Sequence, residues 1–117
     1  MKFNLKKPCK NCPFRKDSTK GWLGFQRSKE IVDDVLDNDK TFSCHKTTGA
    51  ETGEEIPREQ HSFCAGALIL LEKEKGYFAS LPVRMAKMFG WFDESEMSQE
   101  DFDNVFDSRN DMCYHHK

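Results

Sequence analysis

The residues best suited to chemistry in this sequence are its cysteines. Cys9 and Cys12 form a Cys-x-x-Cys with Pro8 before it and Pro13 after it, Cys44 stands directly before His45, and Cys64 lies in Ser62-Phe63-Cys64-Ala65-Gly66. Two thiolates at Cys-x-x-Cys spacing turn toward one metal ion, because the two residues between them make a tight knuckle. The prolines stiffen that knuckle: each fixes its own φ and biases the preceding residue toward extended backbone, so less entropy is lost when the site closes. Cys9, Cys12, Cys44 and Cys64 make a full tetrahedral set, with His45 as an alternate ligand in place of one thiolate.

Zinc suits four thiolates, and as a structural ion it would explain how a poorly patterned N-terminal part folds. A [4Fe-4S] cluster takes the same ligands and is the alternative; one knuckle with two distant cysteines fits it, as does a proline after a ligand cysteine. The reading that competes with both treats Cys44 and Cys64 as ordinary small core residues. Cys113 reads as a spare thiol in the acidic tail, His115 and His116 beside it as exposed tail residues rather than ligands, and His61 ranks below the four as a ligand. A third reading makes Cys9 and Cys12 a redox dithiol, but such motifs open a helix after a strand, and no strand pattern precedes Pro8. The sequence holds no glycine-rich phosphate loop, no His-Glu-x-x-His and no serine nucleophile elbow, so binding is expected here rather than catalysis.

Composition limits the remaining choices. The chain has 117 residues, 32% of them charged, a net charge of −2 and ten Phe beside two Trp, which is the profile of one soluble domain with a thin, aromatic-rich interior. No apolar run reaches membrane-spanning length, and basic Met1-Lys2-Phe3-Asn4-Leu5-Lys6-Lys7 lacks the hydrophobic segment of an export signal. Five cysteines in such a chain point to a reducing compartment, the cytosol, and to metal or free thiols over a disulfide framework. Basic residues gather near the start and acidic ones from about residue 92 to the end. The simpler reading is that the two ends attract each other within the fold; the sharper one makes Lys6, Lys7, Lys10, Arg15 and Lys16 a contact face for nucleic acid or a partner protein.

The elements that must position the cysteines follow from periodicity. The part through Gly24 has no sustained pattern, and Trp22, Leu23 and Phe25 are expected to anchor it in the core. A first helix is predicted over 28–37, capped by Ser28, with Ile31, Val32, Val35 and Leu36 on one stripe. Residues 40–44 alternate and read as a short extended segment with Phe42 and Cys44 on one face. A polar loop over 47–59 follows, long enough to be mobile or a contact surface. A second helix is expected over 62–75, capped by Ser62, so that Cys64 falls in its first turn, where helix amides favour a thiolate. Ser80-Leu81-Pro82 opens a third helix ending at Gly90, and Ser98 opens a fourth through a capping box.

Pro8-Cys9-x-x-Cys12-Pro13-Phe14-Arg15, Phe42-x-Cys44-His45-Lys46-Thr47 and Cys64-Ala65-Gly66, in that order, resemble the small cysteine-motif proteins encoded by bacteriophages and some bacteria, a group without an assigned activity. The resemblance runs from about Pro8 to Leu71 and leaves the acidic end outside. It implies a metal-binding protein in a phage or bacterial setting, with Cys9, Cys12, Cys44 and Cys64 at the matching positions, and by analogy a host protein or nucleic acid as partner. The expected fold is mainly α, with a small α+β variant open: an irregular, metal-knuckled N-terminal part packed on three to four short helices, ending in an acidic helix and tail.

Overall fold

The computed structural model describes residues 2–5, 8, 12–44, 53 and 55–117. Cys9, His45, Lys6, Lys7, Lys10 and much of the 47–59 loop lie outside the described residues. Within them the chain forms five α-helices: α1 Phe25–Leu36, α2 Ala65–Glu74, α3 Leu81–Met88, α4 Gln99–Asp103 and α5 Arg109–His115. Three isolated β-bridges join the irregular segments, and the described residues contain no sheet. The mainly helical class read from the sequence is the one found.

The centre is α2. Its Ala-Gly-Ala-Leu-Ile-Leu-Leu run is apolar all round, and residues 65–71 are all buried, as a helix surrounded by other elements must be. Each fully buried Leu or Ile there contributes about 1.5–3 kcal/mol of transfer free energy. Against α2 packs α1, whose Ile31, Val32, Val35 and Leu36 are buried as the stripe requires. One buried cluster runs from Cys12 to Cys113 and draws on every helix except α4, whose Phe102 packs at its edge.

Two helix starts differ from expectation. The first helix opens at Phe25, three residues before Ser28, because Gly24 at φ +84° turns the chain where other residues are strained. Ser28 then lies one turn before Ile31 and Val32 on the same face, fully buried, with no hydrogen-bond partner for its hydroxyl among the described residues. The second helix begins at Ala65, because residues 61–64 are spent on extended pairing. Lys2 N–H donates to His61 O, Phe63 N–H to Lys2 O, and Ser62 Oγ to Asn4 Oδ1 at 2.7 Å. Trp22 and Phe25 are also not core anchors: they are 48% and 39% exposed, and Phe25 packs against the ring of Tyr114. The starts at Ser80 and Ser98 are as predicted, each hydroxyl accepting a backbone N–H three residues on.

The C-terminal end is the largest departure. It is not a tail with an idle thiol: α5 lies against α1, burying Met112 and Cys113, and His116 is fully buried just beyond it. Burial, with Asp33 nearby, pushes the Cys113 thiol up, so it stays protonated. Arg109 holds the packing from its edge. Its guanidinium donates to Asp37 at 2.7 and 3.0 Å and to Asp33 at 3.1 Å, with Glu74 3.9 Å away, which joins α5 to both α1 and α2. Those bonds to Arg109 hold the Asp37 carboxyl well below the usual carboxylate range.

Candidate metal centre

Three of the four proposed ligands are described, and all three are buried: Cys12 at 1% exposure, Cys44 and Cys64 at 4%. Their positions come from three different pieces of chain. Cys12 precedes a turn in which Arg15 N–H donates to Cys12 O. Cys44 ends the extended segment 41–44, and Cys64 is the N-cap of α2, in extended backbone at φ −61° and ψ 123°.

An antiparallel pairing sets Cys44 opposite Ser62 and Cys64 opposite Phe42, with the two cysteines diagonal to each other. Cys44 N–H donates to Ser62 O at 2.7 Å and Cys64 N–H to Phe42 O at 2.8 Å, on either side of the Ser43–Phe63 bridge. Side chains alternate along such a ladder, so Phe42, Cys44, Ser62 and Cys64 share one face. The expected placement of Phe42 and Cys44 is therefore met, and Phe42 packs edge-on against Phe14 with ring centroids 5.6 Å apart.

Cys12 reaches that face from the knuckle side. Its Sγ lies 3.5 Å from Sγ of Cys64 in a buried contact, far beyond the bonded length of about 2.05 Å in a disulfide. Two thiolates bound to one zinc at about 2.3 Å in a tetrahedron stand about 3.8 Å apart, so a change of a few tenths of an ångström separates the observed pair from a shared ion. In a four-iron cubane each cysteine binds a different iron, which spreads the sulfurs by the width of the cluster. Among the described residues no three His, Cys, Asp or Glu side chains converge as a ready metal group.

Gly66 makes the approach of Cys12 possible. A Cβ built on it would stand 2.7 Å from Cys12 Sγ and 2.7 Å from Phe14 Cβ, closer than side-chain atoms pack. The glycine of Cys64-Ala65-Gly66 is thus a spacer that lets Cys12 and Phe14 lie directly on the first turn of α2. This role is visible in the sequence only as a glycine inside a helix, where it is otherwise unfavourable by about 0.5–1 kcal/mol relative to alanine.

Residues 13–16, just after Cys12, are held by the chain's end, which sequence reasoning missed. Arg15 forms an antiparallel bridge with Val105, Phe106 N–H donates to Phe14 O at 3.2 Å, and Lys16 N–H donates to Asn104 O at 2.6 Å. His116 completes the clasp. Its Nε2–H donates to Pro13 O at 2.8 Å, which leaves Nδ1 as the acceptor facing Leu23 N–H at 3.5 Å. Burial pushes the His116 pKa below its ordinary value, and His115 nearby acts in the same direction. His115 Nε2–H donates to Ser18 O at 2.8 Å. The available signal was the spacing of Met112, Cys113 and His116 at one helical stripe, hidden by the charges around it.

The other sequence candidates settle elsewhere. His61 contacts Ser43 Oγ at 3.1 Å and Ile56 O at 2.8 Å through its two ring nitrogens, which leaves neither turned to the cysteines. Of the basic contact residues, Arg15 forms a bidentate pair with Asp17 at 2.9 and 2.7 Å, and Lys16 reaches Asp107 at 3.4 Å. Where it is described, the basic end thus spends charge inside the fold, partly on the acidic end, as the simpler reading of the charge asymmetry expects. Among the described residues no helix is long and apolar enough to cross a membrane.

No curated protein and no solved structure matches the chain. One family model does, and it extends past the resemblance seen at residues 8–71 to take in the C-terminal clasp as well. With residues 4–117 matched, the chain belongs to a family of unknown function, DUF6283.

Proposed function

We propose that this chain is a small non-catalytic binding protein whose N-terminal part folds around one structural metal ion, zinc, held by Cys9, Cys12, Cys44 and Cys64. The observation that carries the reading is the 3.5 Å approach of the Cys12 and Cys64 sulfurs in a buried contact. Three further features support it: Cys44 on the same ladder face as Cys64, a glycine that exists to admit Cys12, and a C-terminal clasp on the residue after Cys12. The sulfur separation favours a single ion over a [4Fe-4S] cluster. When bound, the ion supplies a cross-link between segments that lie far apart along the chain. The chain's own residues do the rest: Gly66 admits Cys12, the ladder fixes Cys44 and Cys64, and His116 holds Pro13.

The contacts this scaffold offers are Lys6, Lys7, Lys10 and the 47–59 loop, directed to a host protein or to nucleic acid. A phage or mobile-element setting, in a bacterial cytosol that keeps the thiols reduced, agrees with the resemblance of the three cysteine motifs. Substitution tests the site. Cys12→Ser and Cys64→Ser lose the metal and the cooperative thermal transition, whereas Cys113→Ala keeps the full metal content. Normal metal in either of the first two variants, or metal loss in the third, overturns the ligand set.

A further inference from the structure

The buried face of α3 is Val83 and Ala86, both fully buried. Its opposite face is exposed. Leu81, Met85 and Met88 are 52%, 43% and 74% exposed; Phe89 at the C-cap is 56% exposed and stacks on Trp91, itself 62% exposed, with ring centroids 5.0 Å apart. Phe78, 70% exposed, lies just before the helix beside Lys87, whose Nζ sits 4.7 Å from its ring centre. Large aromatic side chains offer about 150–250 Å² each, so six residues at these exposures present on the order of 600–700 Å² of apolar surface. The largest patch on an ordinary monomer is about 300–600 Å², and each side of a standard interface buries about 800 Å².

We infer that this face is a homodimer interface, occupied by α3 of a second copy of the chain in antiparallel two-fold packing. The area suits it, and so does the pattern. Leu81, Met85 and Phe89 stand at i, i+4 and i+8, a stripe symmetric about Met85. A two-fold axis at Met85 sets Met85 against its own equivalent and Leu81 against Phe89 of the second copy, so one set of residues supplies both sides. The same operation keeps like flanks together. Arg84 of one copy comes to the flank where the other carries the Lys87–Glu94 pair, whose carboxylate is 44% exposed. Methionines at the centre suit such a seam, since their flexible thioethers fill irregular gaps. The inference goes beyond the metal reading and does not depend on it.

Sedimentation equilibrium on the full chain in reducing buffer, over a wide concentration range, is the test. The wild type is expected to approach twice 13.6 kDa. Met85→Lys places two ammonium groups across the axis and raises the dissociation constant by at least about tenfold, with an unchanged circular dichroism spectrum at low concentration. Mixing Met85→Lys with Met85→Glu restores the dimer. Met88→Lys, at a more exposed position, serves as a second disrupting variant should the first fold poorly. A wild type that stays at 13.6 kDa at the highest concentration reached, or a dimer that neither lysine variant weakens, overturns the inference.

Discussion

Gly66→Ala sets two physical effects against each other, and the structure says which wins. In an ordinary helix interior, replacing glycine by alanine stabilises by roughly 0.5–1 kcal/mol through reduced backbone entropy in the unfolded chain. Here the added methyl would stand 2.7 Å from Cys12 Sγ and 2.7 Å from Phe14 Cβ, with the Phe14 ring atom Cγ at 3.3 Å. Cys12 and Phe14 are both essentially fully buried, and a Cβ sits at the root of its side chain, so no simple rotation relieves the contact. Overpacking of this kind costs about 1–3 kcal/mol, which leaves a net loss on the order of 1–2 kcal/mol. For a chain of this size that is a fall in melting temperature of about 4–8 °C. Metal content should fall with it, because the methyl displaces the sulfur that the site needs. Differential scanning calorimetry and metal analysis on Gly66→Ala beside the wild type read both. A variant that melts at or above the wild-type temperature with full metal would refute the argument that Gly66 is a spacer for Cys12.

Arg109→Met should lower the melting temperature by a few degrees, since it leaves Asp33, Asp37 and Glu74 facing one another without their shared cation. Added salt should shrink that difference, and a salt-independent loss would point to packing instead. The His116 clasp predicts a pH dependence. Its folded pKa lies below the unfolded value of about 6.5, so between the two the unfolded chain binds more protons and stability rises with pH. The contribution is therefore fully present above about pH 6.5 and is lost as pH falls below it. His116→Gln keeps a donor for Pro13 O but cannot titrate, so its stability should change less than that of the wild type between neutral and mildly acidic pH. Equal slopes would remove His116 from the account.

Much of this was legible in the sequence, for identifiable reasons. α1 shows its stripe because a helix lying on a core must be apolar on one side only, and the boundaries at Ser80 and Ser98 show because a hydroxyl cap is a local hydrogen bond that needs no knowledge of the fold. The pairing of residues 42–44 with 62–64 was half visible, in the alternation around Phe42. What could not be read were the roles that depend on distant chain. Ser28 and Ser62 resemble helix caps by type, but a positive φ at Gly24 and the pairing of residues 61–64 with Lys2 move both helix starts. The clasp of His116 on Pro13 spans 103 residues, and α5 has so few residues among so many charges that its apolar stripe carries little signal. The exposed crest of α3 was hidden for the opposite reason: its Leu, Met and Phe look like core residues, and only the packed structure shows that α3 already buries its other face.

Whether one ion joins the Cys12 and Cys64 sulfurs is read by metal analysis with an absorption spectrum on protein purified without oxygen. The protein is expected to be colourless with about one zinc per chain, as a four-thiolate structural site requires. Iron with labile sulfide and a brown colour would contradict it, as would a stably folded chain that binds no metal at all.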